Sequence, residues 1–278
     1  MDIEILEMME NRIKFILSKA NPGTANALRR VLISEIPKMA IETVDMHLGP
    51  ISDGEGTEFE STSPLFDEVV AHRLGMVPIP TDLDSFVFRS ECDCGGEGCP
   101  SCTIMYSLNK KGPGEVYSGD LEPLGSSDFR VCDELIPLVK LTDGQAILVY
   151  ASAELGTGHD HAKWQVTNGV GYKYRPHVEI DASKCDQGGS CIDACPKGVF
   201  AREGDTVKVV DEKACDLCKA CVEVCETGAV SVKGDENEFI FEFETDGSMT
   251  AQKALEKGLE ILENRFEEFR EQVSELGD

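Results

Sequence analysis

The sequence of 278 residues contains no long apolar run. Its longest uninterrupted stretch, Ala146 to Ala151, falls far short of the roughly twenty residues that a bilayer-crossing helix needs. Near the start, charged residues alternate with apolar ones, which argues against a signal peptide. Basic residues are scarce, 26 Lys and Arg against 52 Asp and Glu, for a formal charge of −26. A surface of that sign repels phosphate backbones, so direct binding to DNA or RNA is not expected, and a basic partner or a larger assembly of compensating charge is. There is no aspartate cluster of the DxDxD kind for two-metal chemistry, no nucleophile elbow and no phosphate-binding glycine loop, so no catalytic centre is visible. Disordered and collagen-like compositions are absent as well. With 41% hydrophobic and 28% charged residues the chain reads as a soluble, cytoplasmic globular protein with two or three domains.

Cysteine is what the chain has in quantity. Of 12 cysteines, seven fall in two runs, Cys185-x5-Cys191-x3-Cys195-Pro196 and Cys215-x2-Cys218-x2-Cys221-x3-Cys225. This spacing wraps thiolates around iron-sulfur cubes, three sulfurs from one tight loop and the fourth from the neighbouring run. On that crossing rule Cys195, Cys215, Cys218 and Cys221 hold a [4Fe-4S] cluster. Gly188 stands where the first run should carry its second cysteine, and Glu226 replaces the proline expected after Cys225. Cys185, Cys191 and Cys225 therefore offer three thiolates, which suits a [3Fe-4S] cluster or no cluster. Structural zinc or free thiols are the alternatives for both runs. Taken alone, residues 182–232 resemble a small bacterial-type two-cluster ferredoxin.

A second constellation, Cys92-x-Cys94-x4-Cys99-x2-Cys102, sits in a glycine-rich loop short enough to fold around one tetrahedral Zn²⁺. Four protein ligands would leave no open position, so the site would be structural; free thiols, or a third iron-sulfur centre, are the alternatives. Cys132 stands alone and reads as a small buried hydrophobe. His159 and His161 form an HxH pair, but no third ligand at a suitable spacing supports a metal, and a loop-to-strand junction explains them. So many thiols in metal spacings fit a reducing compartment.

Residues 2–17 alternate around Glu10-Asn11 as a hairpin. Asn21-Pro22-Gly23-Thr24 opens a helix that Ile36-Pro37 stops. A strand follows over 39–48, a glycine-rich acidic loop over Gly49–Gly56, a short helix ending at Gly75, and strands over 145–155, Ala162–Tyr174 and Phe239–Glu244. From Thr250 to Leu276, Leu255, Leu259, Leu262, Phe266, Phe269, Val273 and Leu276 recur in 4-3 alternation. A seam of that length, about 40 Å at 1.5 Å per residue, is expected to pack against a partner helix, the alternative being this chain's own sheet.

Several segments are specific. Asn26-Ala27-Leu28-Arg29-Arg30-Val31-Leu32 resembles the signature helix of the alpha-type subunits of DNA-directed RNA polymerases. His72-Arg73-Leu74-Gly75-Met76-Val77-Pro78 and His161-Ala162-Lys163-Trp164 resemble later segments of that family, and Phe239–Gly247 with the heptad helix resembles its closing strand and dimer helix. The ferredoxin-like insertion is similar to that of the archaeal D-type members; the zinc-like loop resembles one in the eukaryotic counterpart.

The resemblance implies an α+β chain: an alpha-subunit-like dimerisation domain in three parts (1–48, 165–181 and 233–278), an inserted mixed α/β domain (49–164) and an inserted ferredoxin-like iron-sulfur domain (182–232). It also implies a non-catalytic role in transcription, as part of a nucleotidyltransferase assembly. The chain would pair with a small L subunit through Leu28 and Leu32 of the signature helix and through Leu255, Leu259, Leu262, Phe266, Phe269 and Val273. That heterodimer would then gather the large B-type catalytic chain, contacted near Arg29 and Arg30, and the small subunits N and P. Solvated surface arginines are the plainer reading of Arg29 and Arg30, and the same applies to His72 and Arg73. Two other readings remain: a ferredoxin-type electron carrier, which leaves the alpha-like flanks unexplained, and a free-standing sensor on a borrowed scaffold.

Overall fold

The computed structural model describes residues 1–52 and 56–276. Two compact units emerge from the backbone contacts. One comprises Met1–Met8, Ile13–Arg29 and Gly171–Glu242; the other comprises Met9–Arg12, Arg30–Val170 and the segment from Phe243 onward.

The expected hairpin forms from β1 (Asp2–Met8) and β2 (Arg12–Ser18), antiparallel from Asp2 opposite Ser18 to Met8 opposite Ile13. Next comes α1 (Pro22–Ser34). Asn21 Oδ1 accepts from the Thr24 N–H at 2.9 Å, Pro22 occupies the first helical position where no N–H is needed, and Pro37 prevents continuation. The chain continues through β3 (Lys38–Met46), β4 (Ile51–Ser52), β5 (Glu58–Ser61) and α2 (Asp67–Gly75). Thus Ile51 and Ser52 are strand within the predicted Gly49–Gly56 loop, while residues 53–55 of that loop lie outside the described set.

The larger unit is built on one mixed sheet. After β6 (Thr103–Lys111), β7 (Gly114–Tyr117), β8 (Leu121–Pro123) and β9 (Pro137–Leu141), the chain enters β10 (Gln145–Gly156). β10 pairs antiparallel with both β3 and β6 and briefly parallel with β5. Along it Ile147, Val149, Ala151, Ala153 and Leu155 are buried at a period of two, the mark of a strand with one face on a core. That core also takes in Met39, Ile41, Val70, Leu74 and Tyr106.

The sequence pattern predicts a strand from Ala162, but Ala162–Trp164 is a 3₁₀ turn and β11 runs from Thr167 to Ile180. The His161 side chain accepts from the Lys163 N–H at 3.1 Å, and this local capping bond favours the turn over extended backbone. Then come α3 (Ser190–Ala194), β12 (Phe200–Glu203), β13 (Thr206–Val209), α4 (Ala220–Glu223), β14 (Val230–Thr245) and α5 (Ala251–Glu275).

In the smaller unit the sheet order is β1-β2-β14-β11, with Phe15 stacked on Phe241 at 5.2 Å and Tyr172 on Phe241 at 5.0 Å. β14 is much longer than the strand expected over Phe239–Glu244. Its stretch Lys233–Glu238 lacks apolar alternation because polar contacts to β11 replace it: Arg175 pairs with Glu238 at 2.5 Å and His177 lies 3.4 Å from Asp235. A second small core, with Val178, Val199, Phe200 and Val230, includes Cys191, Cys215 and Cys221.

α5 divides along its length. Thr250 Oγ1 caps its start, accepting from the Lys253 N–H, and Ala251, Ala254, Leu255 and Gly258 are buried. At Gly258 a Cβ would lie 3.0 Å from Leu32 Cδ2 of α1, so glycine permits close approach there. Beyond that point Leu259 and Leu262 are half-buried, whereas Phe266, Phe269 and Val273 are 62%, 65% and 50% exposed. The expectation of one uniform partner-facing seam is thus corrected: the first half packs on this chain, and the last heptads present bare aromatic surface.

Candidate metal centres

The Cys92–Cys102 loop brings four sulfurs within 4.8 Å of one another. Cys92 and Cys99 Sγ are 3.5 Å apart, Cys94 and Cys102 3.7 Å, and Cys99 and Cys102 3.9 Å. A tetrahedron with Zn–S bonds of about 2.3 Å has edges of about 3.8 Å, so the donors stand at the spacing zinc requires. Left-handed backbone at Gly95, Gly96 and Gly98 folds the loop that tightly, and Arg89 pins it by donating to the Gly96 carbonyl at 2.7 Å and pairing with Glu154 at 3.0 Å. Cys94 is drawn down to about 6, first by the Gly98 backbone N–H and then by the Cys92 side chain. The Cys94 backbone N–H also favours a thiolate at Cys92, but the neighbouring thiols prevail and push it up to about 12. Four crowded thiols sharing protons in this way are a donor set that a dication completes.

Seven of the other eight cysteines form two groups on a repeated framework. Each residue of the second run lies thirty positions after its counterpart: 185 and 215, 191 and 221, 195 and 225. The backbone repeats too. Gln187 and Leu217 are left-handed at φ 61° and 58°, and Gly189 and Lys219, which open α3 and α4, at 90° and 62°.

Cys195, Cys215, Cys218 and Cys221 line one small pocket with Val199 and Phe200. Burial pushes the Cys221 thiol up, and Cys215, Cys195 and Cys218 push it further; burial likewise raises Cys215. Thiols that oppose one another's ionisation in an apolar pocket fit an iron cluster, whose positive irons stabilise thiolates. The Cys215 loop is tied to the sheet by Lys173, which donates to the carbonyls of Lys213 and Cys215 at 2.8 Å each. Cys191 is raised by burial and then by Cys185 and Cys225, so these three thiols form the second group. Cys225 is lowered by the Thr227 hydroxyl, 3.5 Å away.

Other expected site residues resolve differently. Cys132 is exposed, not buried; its N–H donates to the Pro78 carbonyl, and partial burial of the thiol pushes it up to about 11. His159 is exposed beside Asp160, and His161 is the cap described above, so the HxH pair converges on no shared centre.

A model of the RNA polymerase Rpb3/Rpb11 dimerisation domain matches residues 14–266. The chain is 45% identical to DNA-directed RNA polymerase subunit Rpo3 of Picrophilus torridus, over 98% of this chain and 100% of that protein. It is 42% identical to the subunit Rpo3 of Archaeoglobus fulgidus, over 99% and 98%, and 32% identical to that of Methanopyrus kandleri, over 94% and 91%. The chain belongs to the archaeal Rpo3 family.

Within this chain the family-like segments are largely structural latches. Lys163 of the HAKW segment donates to the Ile41 carbonyl at 3.1 Å, pairs with Glu42 and lies 4.3 Å over the Trp164 ring. Trp164 donates to the Glu154 carbonyl at 3.1 Å. Arg73 donates to the Leu138 carbonyl at 2.7 Å, while His72 is exposed. On α1, Leu28 and Leu32 are buried, Arg29 is half-buried with its Nε donating to Asn26, and Arg30 is exposed.

Sequence reasoning missed one organising residue, Lys38. It is 3% exposed, pairs with Asp246 and donates to the Lys163 carbonyl at 3.0 Å, joining β3, the HAKW turn and the end of β14. An isolated lysine in a strand gives no signal of this; its partner lies 208 residues away. No described helix is long and apolar enough to cross a membrane.

Proposed function

We propose that this chain is the non-catalytic assembly subunit of a cytoplasmic archaeal RNA polymerase, pairing with the small L subunit and presenting the heterodimer to the large B-type catalytic chain and the small subunits N and P. Membership of a family described as a dimerisation domain supports pairing. The observation that carries the reading is α5: a helix anchored through Leu255 and Gly258 whose last heptads keep Phe266, Phe269 and Val273 exposed. Aromatic residues repeated along a helix and left in water favour burial against another chain, at about 25 cal/mol for each Å² removed from solvent. The excess of acidic side chains suits a role that avoids direct contact with nucleic acid.

Cys195, Cys215, Cys218 and Cys221 hold a [4Fe-4S] cluster in a ferredoxin-like domain spanning 182–232, and Cys92, Cys94, Cys99 and Cys102 hold a structural zinc. Cys185, Cys191 and Cys225 hold a second iron-sulfur centre. When bound, the clusters cross-link loops that carry few apolar residues, so metal binding is folding free energy for that domain and oxidation weakens it. The dimerisation parts are 1–48, 165–181 and 233–278, with 49–164 as the other insertion. The test is affinity purification of the tagged chain from cells that make it: recovery with the large catalytic chains supports this function. Recovery alone, with rapid electron transfer from a redox donor, sinks it in favour of a carrier.

A further inference from the structure

In the first cysteine run a carboxylate stands beside the position where the repeat lacks its cysteine. Thirty residues separate Gly188 from Cys218, and the loop around Gly188 keeps the conformation of its cysteine-bearing copy, left-handed on both sides of the gap. A Cβ built on Gly188 would lie 3.2 Å from Asp186 Oδ1 and 3.5 Å from Oδ2. The space where a side chain of residue 188 would begin is therefore held by the Asp186 carboxylate. Oδ1 accepts from the Gly188 N–H at 2.9 Å, which orients the group and leaves Oδ2 with unused lone pairs.

The Asp186 side chain is exposed, and the two copies differ in what holds this carboxylate. The counterpart of Asp186 is Asp216, which pairs with Lys197 at 2.9 Å and Lys173 at 3.4 Å. Under the same thirty-residue shift Lys197 becomes Thr227, and Thr227 is engaged with Cys225. The cation that holds Asp216 thus has no equivalent beside Asp186. Arg202, whose counterpart is Val232, instead donates to the carbonyls of Gln187 and Gly188 at 3.0 and 3.1 Å and locks the loop. A Cβ at Gly189 would lie 2.6 Å from its Nη2, so any other residue there would displace the guanidinium from this loop.

We propose that Asp186 supplies the fourth ligand, a carboxylate oxygen, to a four-iron cluster held by Cys185, Cys191 and Cys225. This deepens the second iron-sulfur centre proposed above and rests on it. Oxygen is a harder donor than thiolate and holds cluster iron less firmly, so the iron at this corner is the one most readily lost or exchanged.

The test compares the full chain with Asp186→Asn, Gly188→Cys and the double variant, each loaded anaerobically with iron and sulfide, by iron and sulfide content and low-temperature EPR. Wild type is expected to carry about eight irons, four for each cluster. Asp186→Asn drops to about seven and shows the oxidised three-iron signal, while Gly188→Cys and the double variant return to about eight because a thiolate replaces the carboxylate. A wild type that already holds a three-iron cluster, or a single Asn variant indistinguishable from wild type, overturns the Asp186 assignment and leaves the second centre standing. Only four irons in every protein, including Gly188→Cys, removes the second centre and the proposal with it.

Discussion

Tyr106 shows how a single side chain ties the larger unit together: its ring is fully buried and its hydroxyl donates to the Phe129 carbonyl at 2.7 Å. Burial also pushes its phenol up, so it stays a neutral donor. Removing that hydroxyl in Tyr106→Phe leaves a carbonyl without its donor and is expected to cost about 1–2 kcal/mol in denaturant unfolding. At the Cys92–Cys102 loop, where zinc is proposed, Cys94→Ser removes one corner of the four-sulfur set, and zinc content should fall from about one per chain to near none with iron unchanged. Unaltered zinc would show that the loop's sulfurs are not its ligands. Residue identities and spacing make these thiols legible in the sequence, because ligand chemistry is local. Asp186 and Lys38 are not legible there, since their roles depend on partners that only the fold brings near.

At the level of elements, the hairpin, α1, α2, β10 and α5 follow from periodicity and capping, and they stand where the sequence places them. The strand starting at Thr167 and the full length of β14 do not follow, because a side-chain cap and cross-strand polar contacts decide them and neither leaves an apolar pattern. α5 combines both alternatives read from its heptads, own core first and free seam later. The Lys38–Asp246 pair fastens β3 to the end of β14 in a buried setting, with side chains 4% and 12% exposed. Lys38→Met strands the carboxylate, so unfolding free energy should drop by about 3–5 kcal/mol, whereas replacing both partners with apolar residues recovers most of it. Equal losses in the single and double variants would show that the charge pairing itself matters little.

For the molecule as a whole, family membership and composition agree on a protein that acts through its surfaces. In the proposed function its cysteine groups hold metals that brace loops, and the chain is a non-catalytic subunit of the polymerase. Substituting Cys218→Ser should therefore leave pairing with the small subunit intact while lowering incorporation of the large ones, measured by co-purification from the host; undiminished incorporation would show that the cluster domain is dispensable for assembly. The central claim is that the exposed end of α5 is completed by another chain. It is tested most directly by measuring the affinity of the small partner subunit for Phe266→Glu/Phe269→Glu against wild type. Loss of about 3 kcal/mol or more, roughly a hundredfold weaker binding, is predicted for a variant that folds and keeps its iron. Unchanged affinity in such a variant would contradict the account.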